Sequence, residues 1–264
     1  MVDWFSPRDG TDTQALFVNV SRQATLLQDL QARMQARQGF SIATLNLDHV
    51  VKMQQNARFR AAYGQHSHIT ADGNPIVWLS RLAGRDVELV PGSELVRPIL
   101  RLAAQQGVSV TLLGTTQPVL QKAADHLRGE LPGLQIVDCI SPPKGFDPDG
   151  AAADAYIDTL KRSGIGLIIL ALGAPKQELF AIRASKQLPQ TGFVSVGAGL
   201  DFIAGAQVRA PRLMRALAVE WLWRLMSNPM RFAGRYGSCL AILPRLTASA
   251  LRARKAQTSG KSHG

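Results

Sequence analysis

A chain of 264 residues, 46% of them hydrophobic, has the length and apolar content for one large α/β domain with room for an appendage. Its two cysteines, Cys139 and Cys239, set no disulfide framework and no metal knuckle and suit a reducing cytoplasm, and no run approaches the roughly 18 apolar residues of a membrane span. The formal net charge of +11 is unevenly spread: residues 202–264 carry eleven Arg and Lys against one acid, Glu220, whereas the first 201 residues carry the other 19 bases and 18 acids. A near-neutral body with a cationic C-terminal quarter points to an anionic partner: nucleic acid, acidic lipid or a phosphorylated substrate.

The opening "MVDWFSPRDGTDT" carries acids and no apolar centre, so it does not read as a signal peptide. "FSIATLN" (40–46) reads as a strand leading into the helical "LDHVVKMQQNARFRAAYG". "SHITAD" (67–72) is a short strand, followed by a helix to Leu82 with Pro75 in its first turn. "DVELV" (86–90) reads as a further strand before the helix "GSELVRPILRLAAQQG". "VSVTLLG" (108–114), "LQIVDCI" (134–140) and "IGLIILALG" (165–173) are strands, each with a helix after it, and "GFVSVGAG" (192–199) closes the series. Strand and helix in alternation predict a Rossmann-like, mostly parallel sheet with helices on both faces. The expected boundaries are a catalytic domain at 1–200, a basic C-terminal appendage at 201–246 and a flexible basic tail at 247–264.

Ligands of such sheets bind beyond the carboxyl ends of the strands. The loops expected there hold Thr44 and Asn46, Asp72 and Gly73, Gly92 and Ser93, Gly114-Thr115-Thr116, Gly173 to Glu178, and Gly197 to Asp201. Gly, hydroxyl, amide and carboxylate groups thus collect on one edge, as a polar-ligand cleft requires. Gly114 and its threonines suit a phosphate or ribose at a helix N-terminus, or equally a tight turn with Thr116 as N-cap; a dinucleotide fingerprint would need glycines that "GTTQPV" lacks. "LGAPKQE" crowds Pro175, Lys176, Gln177 and Glu178 at a helix start, fitting either a phosphate or sugar contact or a capped helix with solvated polar residues. Thr44 and Asn46, two apart, share one side of a strand and need partners there. His49 reads as a structural histidine. Asp72 fits helix capping, a salt bridge or a general base, and local sequence alone favours capping. No His, Cys, Asp and Glu grouping has metal-ligand spacing, so neither metal nor cofactor is expected.

The segment "VRAPRLMRALAVEWLWRLMSNPMRFAGRYGSCLAILPRL" mixes Trp221 and Trp223 with a series of arginines. Rings flanked by Arg suit an interfacial helix on anionic headgroups, and equally an amphipathic helix packed on the domain with a solvated basic side. A nucleic-acid-binding protein without transferase activity would also use the charge but would leave the cleft-edge polar groups unexplained, and a nucleotide-binding α/β protein would need a glycine fingerprint and a ribose-binding acid that the sequence lacks.

Seven stretches taken together resemble the WecG/TagA/CpsF glycosyltransferases (glycosyltransferase family 26): "TLNLDHV", "TADGNPIVW", "VPGSEL", "VTLLGTTQPVLQKAADHL", "LGAPKQE", "SVGAGLDFIAGAQVRAP" and "VEWLWRLMSNPMRFAGRY". They span about Asn19 to Leu246 in the family's order. The resemblance implies a bacterial, inverting and metal-independent enzyme. It would move a hexose (glucose, N-acetylmannosamine or its uronic acid) from a UDP-sugar to a polyprenyl-diphosphate-linked sugar, for exopolysaccharide or other cell-surface glycan. Such an enzyme works as a peripheral protein on the inner, cytoplasmic face of the membrane, with no nucleic-acid partner, and homo-oligomerisation stays open. The resemblance also places the catalytic base on Asp72, displacing the capping reading, and puts Thr44, Asn46 and Gln177 beside it. The donor would meet Gly73, Gly114, Thr115, Gly173, Pro175, Lys176, Glu178 and Asp201. Acceptor diphosphate and membrane contacts would be drawn from Arg209, Arg215, Arg224, Arg231 and Arg235. Leu89 stands where many members carry Arg, which favours a neutral hexose over a uronic acid donor, since arginine is the natural partner of a sugar carboxylate.

Overall fold

Most of the apolar runs of the sequence are strands with both faces covered, and every strand described pairs in parallel. A computed structural model describes residues 18–208, 210, 211, 214, 220–227 and 229–261. Six strands, β1 (Phe40–Leu45), β2 (His68–Ala71), β3 (Val110–Gly114), β4 (Ile136–Ile140), β5 (Leu167–Ala171) and β6 (Gly192–Ser195), form one sheet in the order β2-β1-β6-β5-β3-β4. This is the expected Rossmann-like α/β architecture. The helices are α1 (Gln23–Gln35), α2 (Leu47–Gln55), α3 (Ala57–Tyr63), α4 (Asn74–Leu82), α5 (Gly92–Gln105) and α6 (Gln117–Glu130), then α7 (Ala151–Ser163), α8 (Lys176–Ser185), α9 (Gly199–Ile203), α10 (Glu220–Ser227) and α11 (Pro229–Lys261).

Except in the edge strand β4, where Val137 and Asp138 are exposed, strand side chains alternate between two buried layers, which is why those runs are largely apolar rather than amphipathic. Leu112, Ile169 and Val194 pack with α1, α5, α6 and α9 on one face. Their neighbours Leu113, Ile168, Leu170 and Phe193 pack with α7 and α8 on the other. On that second face Ala43, Leu45, Ile69 and Ala71 meet α2, α3, α4 and the buried Leu246 and Ala250 of α11.

Several expected elements differ. The segment 86–90 contributes only an isolated bridge between Leu89 and Ala71, with the Val90 N–H on the Ala71 carbonyl at 2.8 Å. Pro91 follows at once, ends the pairing and serves as the N-cap residue of α5. The long helix expected after β1 is two helices. Asn56 lies between them in an extended conformation, and its side chain accepts from the Phe59 N–H to start α3. Helix α11 continues past 247, where a flexible tail was expected, to Lys261, with Ala250 fully buried.

The strand order places the cleft. From β1 the chain turns outward to β2, and from β3 it turns the opposite way to β4, so the crevice opens between those departures, above the carboxyl ends of β6 and β5.

Candidate active site

β1 and β2 run in register as Thr44 opposite Thr70 and Leu45 opposite Ala71, and the Asp72 N–H extends the ladder to the Leu45 carbonyl at 2.7 Å. Asp72 therefore leaves the sheet at its carboxyl edge, half-buried, beside the first residue beyond β1, Asn46. Asn46 is the N-cap of α2, with its side-chain oxygen accepting from the His49 N–H at 3.0 Å. Gly73 follows Asp72 with φ +113, a conformation that favours glycine, and is itself the N-cap residue of α4. Thr44 is almost fully buried, with its methyl group 3.3 Å from where a Cβ on Gly92 would lie. The structure thus brings Thr44, Asn46, Asp72 and Gly73 together around the first two strand ends.

The loop after β5 forms the middle of the edge. Pro175, expected in the first helical turn, is instead the N-cap residue of α8, joined to Ala174 by a cis peptide bond. Gln177 and Glu178 are not solvated: they are 2% and 0% exposed. The Gln177 carbonyl oxygen accepts from the Gly173 N–H at 3.3 Å and from the Gly197 N–H at 3.2 Å, tying the loop after β5 to the loop after β6. Its amide nitrogen donates to Glu178 Oε1 at 2.7 Å. The second carboxyl oxygen of Glu178 is buried with no hydrogen-bond partner, and burial pushes the acid up to about 7, against the opposing pull of Gln177, the backbone and Lys52. Lys176 lies partly exposed in the first turn of α8.

On the far side, Gly114 approaches β5 so closely that a Cβ would lie 2.3 Å from the Ala171 carbonyl oxygen, which reserves the position for glycine. The Thr115 hydroxyl donates to Asp201 Oδ1 at 3.1 Å, and the Ser141 hydroxyl donates to the Thr115 carbonyl at 2.7 Å. Thr116, which could have capped α6, makes no side-chain cap bond. Thr115 and Asp201 are thus brought together on the β3 side, across the β5 and β6 loops from Asp72.

Beneath Asp72 lies a buried polar layer that the sequence reading reached only in part. The Tyr63 hydroxyl and His49 Nδ1 are hydrogen-bonded at 3.2 Å. Burial, together with the nearby carboxylates of Glu178 and Asp72, holds the Tyr63 phenol well above its ordinary value. Burial drives His49 and His66 down to about 3, so both are neutral. His49 had been read as structural; Tyr63 was missed. Its signal was the spacing of Phe59 and Tyr63 by four, which sets a hydroxyl on an otherwise apolar helix face.

Asp48 forms ion pairs with Lys52 Nζ at 2.9 Å and with Arg235 Nε at 3.1 Å, and Lys52 also donates to the Ala174 carbonyl at 3.1 Å. This joins α11 to α2 and to the β5 loop, so Arg235 sits against the domain at Asp48. Arg224 and Arg231 lie in α10 and α11, where only their helical positions are described; Arg209 and Arg215 lie outside the described residues. Among the described residues no three His, Cys, Asp or Glu side chains group as metal ligands, and no helix is long and apolar enough to cross a membrane.

Fold and site define a Rossmann-like α/β protein whose polar loops, one carrying a carboxylate, converge on the carboxyl edge of its sheet. The sequence profile of the glycosyl transferase WecG/TagA/CpsF family matches residues 13–260, and the chain belongs to that family of glycosyltransferases. It is similar to a Bacillus spizizenii protein, N-acetylglucosaminyldiphosphoundecaprenol N-acetyl-beta-D-mannosaminyltransferase, with 28% identity over 197 residues, 74% of each chain.

Proposed function

We propose that this glycosyltransferase moves a neutral hexose from a UDP-sugar to a sugar carried on a polyprenyl diphosphate, with inversion at the anomeric carbon. The observation that carries the reading is the convergence of Asp72, Asn46 and Thr44 at the ends of two paired strands in a member of this family. The relative's name specifies a diphosphoundecaprenol-linked acceptor and an N-acetylmannosaminyl group.

In a single displacement, Asp72 takes the proton of the acceptor hydroxyl as that oxygen attacks the anomeric carbon, and the bond to UDP breaks on the opposite face. Thr44 and Asn46 orient the sugars. Because Asn46 spends its oxygen on the His49 N–H, a sugar meets its NH2 end. Negative charge grows on the departing diphosphate. The positive ends of α6 and α8 lie at this edge, and Lys176 in the first turn of α8 adds a full charge. The 14-residue α6 begins just beyond Thr115, and so the donor lies over the β3 and β5 loops with its anomeric carbon toward Asp72. Leu89 bridges Ala71, one residue from Asp72, so the position that carries Arg in many relatives borders the proposed base and is apolar here. That supports a donor without a carboxylate.

The basic C-terminal segment is read as the part that rests on anionic lipid and grips the acceptor diphosphate, each cation near such a surface contributing about 1 kcal/mol. Met226 and Met230, 70% and 98% exposed, present apolar groups on that segment.

The test is UDP release from a panel of UDP-sugars with a short-chain polyprenyl-diphosphate sugar, with and without EDTA. Acceptor-dependent release from one neutral hexose donor is expected. Absence of release from every donor under both conditions ends the reading.

A further inference from the structure

Two neighbouring side chains in the site, Gln177 and Glu178, form a buried relay that starts from two backbone N–H groups. The Gln177 carboxamide is held from both ends: two backbone N–H groups, of Gly173 and Gly197, point at its oxygen, and a carboxyl oxygen of Glu178, at 2.7 Å, receives its nitrogen. Turning that amide over would place NH2 against two N–H donors and oxygen against a carboxyl oxygen, so the arrangement admits one orientation. The two glycines belong to different loops, after β5 and after β6, and both have positive φ, +74 and +54. No hydrogen bond between their backbones ties them; the Gln177 oxygen is what they share.

We propose that Glu178 is a positioning residue: its buried carboxyl group fixes the Gln177 carboxamide and thereby holds the β5 and β6 loops in the single spacing that receives the donor diphosphate. The assignment of the diphosphate rests on the reading above; the clamp itself does not. Glu178 is fully buried at the start of α8, and its side chain is spent on its neighbour in sequence rather than on solvent or a distant ion. A carboxyl group buried with one oxygen unpartnered costs stability, which a residue serving packing alone would avoid. Replacing it with an apolar side chain of similar size removes that cost. It also leaves the Gln177 NH2 buried without an acceptor, so the amide turns to find one and releases the two glycine N–H groups. Stability and donor binding should therefore move in opposite directions, which no purely structural role produces.

The experiment compares full-length wild type, Glu178→Leu and Glu178→Gln by thermal melting, by steady-state kinetics in UDP-sugar, and by hydrogen exchange of the peptides spanning 171–179 and 195–202. Glu178→Leu is expected to melt no lower than wild type, to raise the donor KM about tenfold, the worth of one lost hydrogen bond, with kcat little changed, and to exchange faster in both peptides. Glu178→Gln, which keeps an oxygen for the Gln177 NH2, should recover most of the KM and the protection. Wild-type KM and protection in Glu178→Leu overturn the proposal, as does a Glu178→Gln variant as impaired as Glu178→Leu. Exchange needs no donor: lost protection in Glu178→Leu beside a wild type that turns over no UDP-sugar upholds the clamp and overturns only the donor assignment.

Discussion

Asp72 stands one residue beyond the last paired residue of β2, fixed by its own N–H on Leu45, so its carboxyl group can be altered without disturbing the sheet. Asp72→Asn should lower turnover by about two to four orders of magnitude, the usual worth of a general base, with the melting temperature within error of wild type; retained activity would remove Asp72 from the role. Asn46→Asp keeps the oxygen that caps α2 but replaces the NH2 end by a second oxygen. It should hold stability while raising the KM for the sugars severalfold, whereas an equal loss of both would mean that Asn46 is only a cap. These residues were legible because "TLN" and "TADG" place polar groups where strands end. Gln177 and Glu178 were also named from the sequence, but their burial was not legible. Polar residues at a helix start look the same in sequence whether they face water or, as here, lie fully buried under a second loop. A second misleading pattern lies at the opposite end of the sheet. Asp29, His68 and Ser67 are linked at 2.8 and 2.9 Å like a nucleophile triad, yet Ser67 donates its hydroxyl proton to the Ser41 carbonyl at 3.0 Å and is committed to strand pairing.

At the scale of elements, the inner parallel strands were readable because burial on both faces makes them largely apolar runs. Strand order was not, since it is set by which helices fill which face. The apparent strand at 86–90 shows the limit of local pattern: its residues alternate, but Pro91 leaves only one bridge of pairing. A flexible basic tail was expected from 247. The apolar positions Leu246 and Ala250, four apart and buried against α2 and α4, override that. Leu246→Ala should therefore destabilise the whole chain by about 2–5 kcal/mol in urea unfolding, as for other buried leucines. A change confined to the loss of some helix, with the main transition unmoved, would mean that α11 docks independently of the domain.

Across the whole molecule, buried ionisable groups set opposing slopes of stability against pH. His49 and His66 are neutral in the fold with pKa values near 3, against 6.5 for free imidazole. The unfolded chain therefore binds their protons first, and the stability present above pH 6.5 is lost progressively as pH falls toward 3. Glu178 works the other way. Its raised pKa, about 7 against 4.5, means that its contribution is complete below 4.5 and is lost as pH rises through 7. Two groups outweigh one below 6.5, so thermal stability should peak near neutrality and fall on the acid side. His66→Leu should flatten that acid slope, because burial is the main cause of this imidazole's lowered pKa and an apolar side chain has no proton to bind. An unchanged slope in a melting series from pH 4 to 8 would show that His66 is not held neutral.

The position of β6 also has a consequence for how the protein comes into being. β1 and β2 carry Thr44, Asn46 and Asp72; β3, β4 and β5 carry Gly114, Thr115 and the Gln177 loop; and β1 meets β5 only through the four residues Gly192–Ser195. The last strand of this sheet in chain order is thus the keystone between two half-sheets that do not pair with each other. A nascent chain that has not yet released β6 holds the proposed base on one half and the loops proposed for the donor on the other, unjoined. The proposed centre is therefore assembled only when β6 is released, after the other five strands of the sheet, and the basic segment proposed to meet an anionic surface follows β6 in the chain.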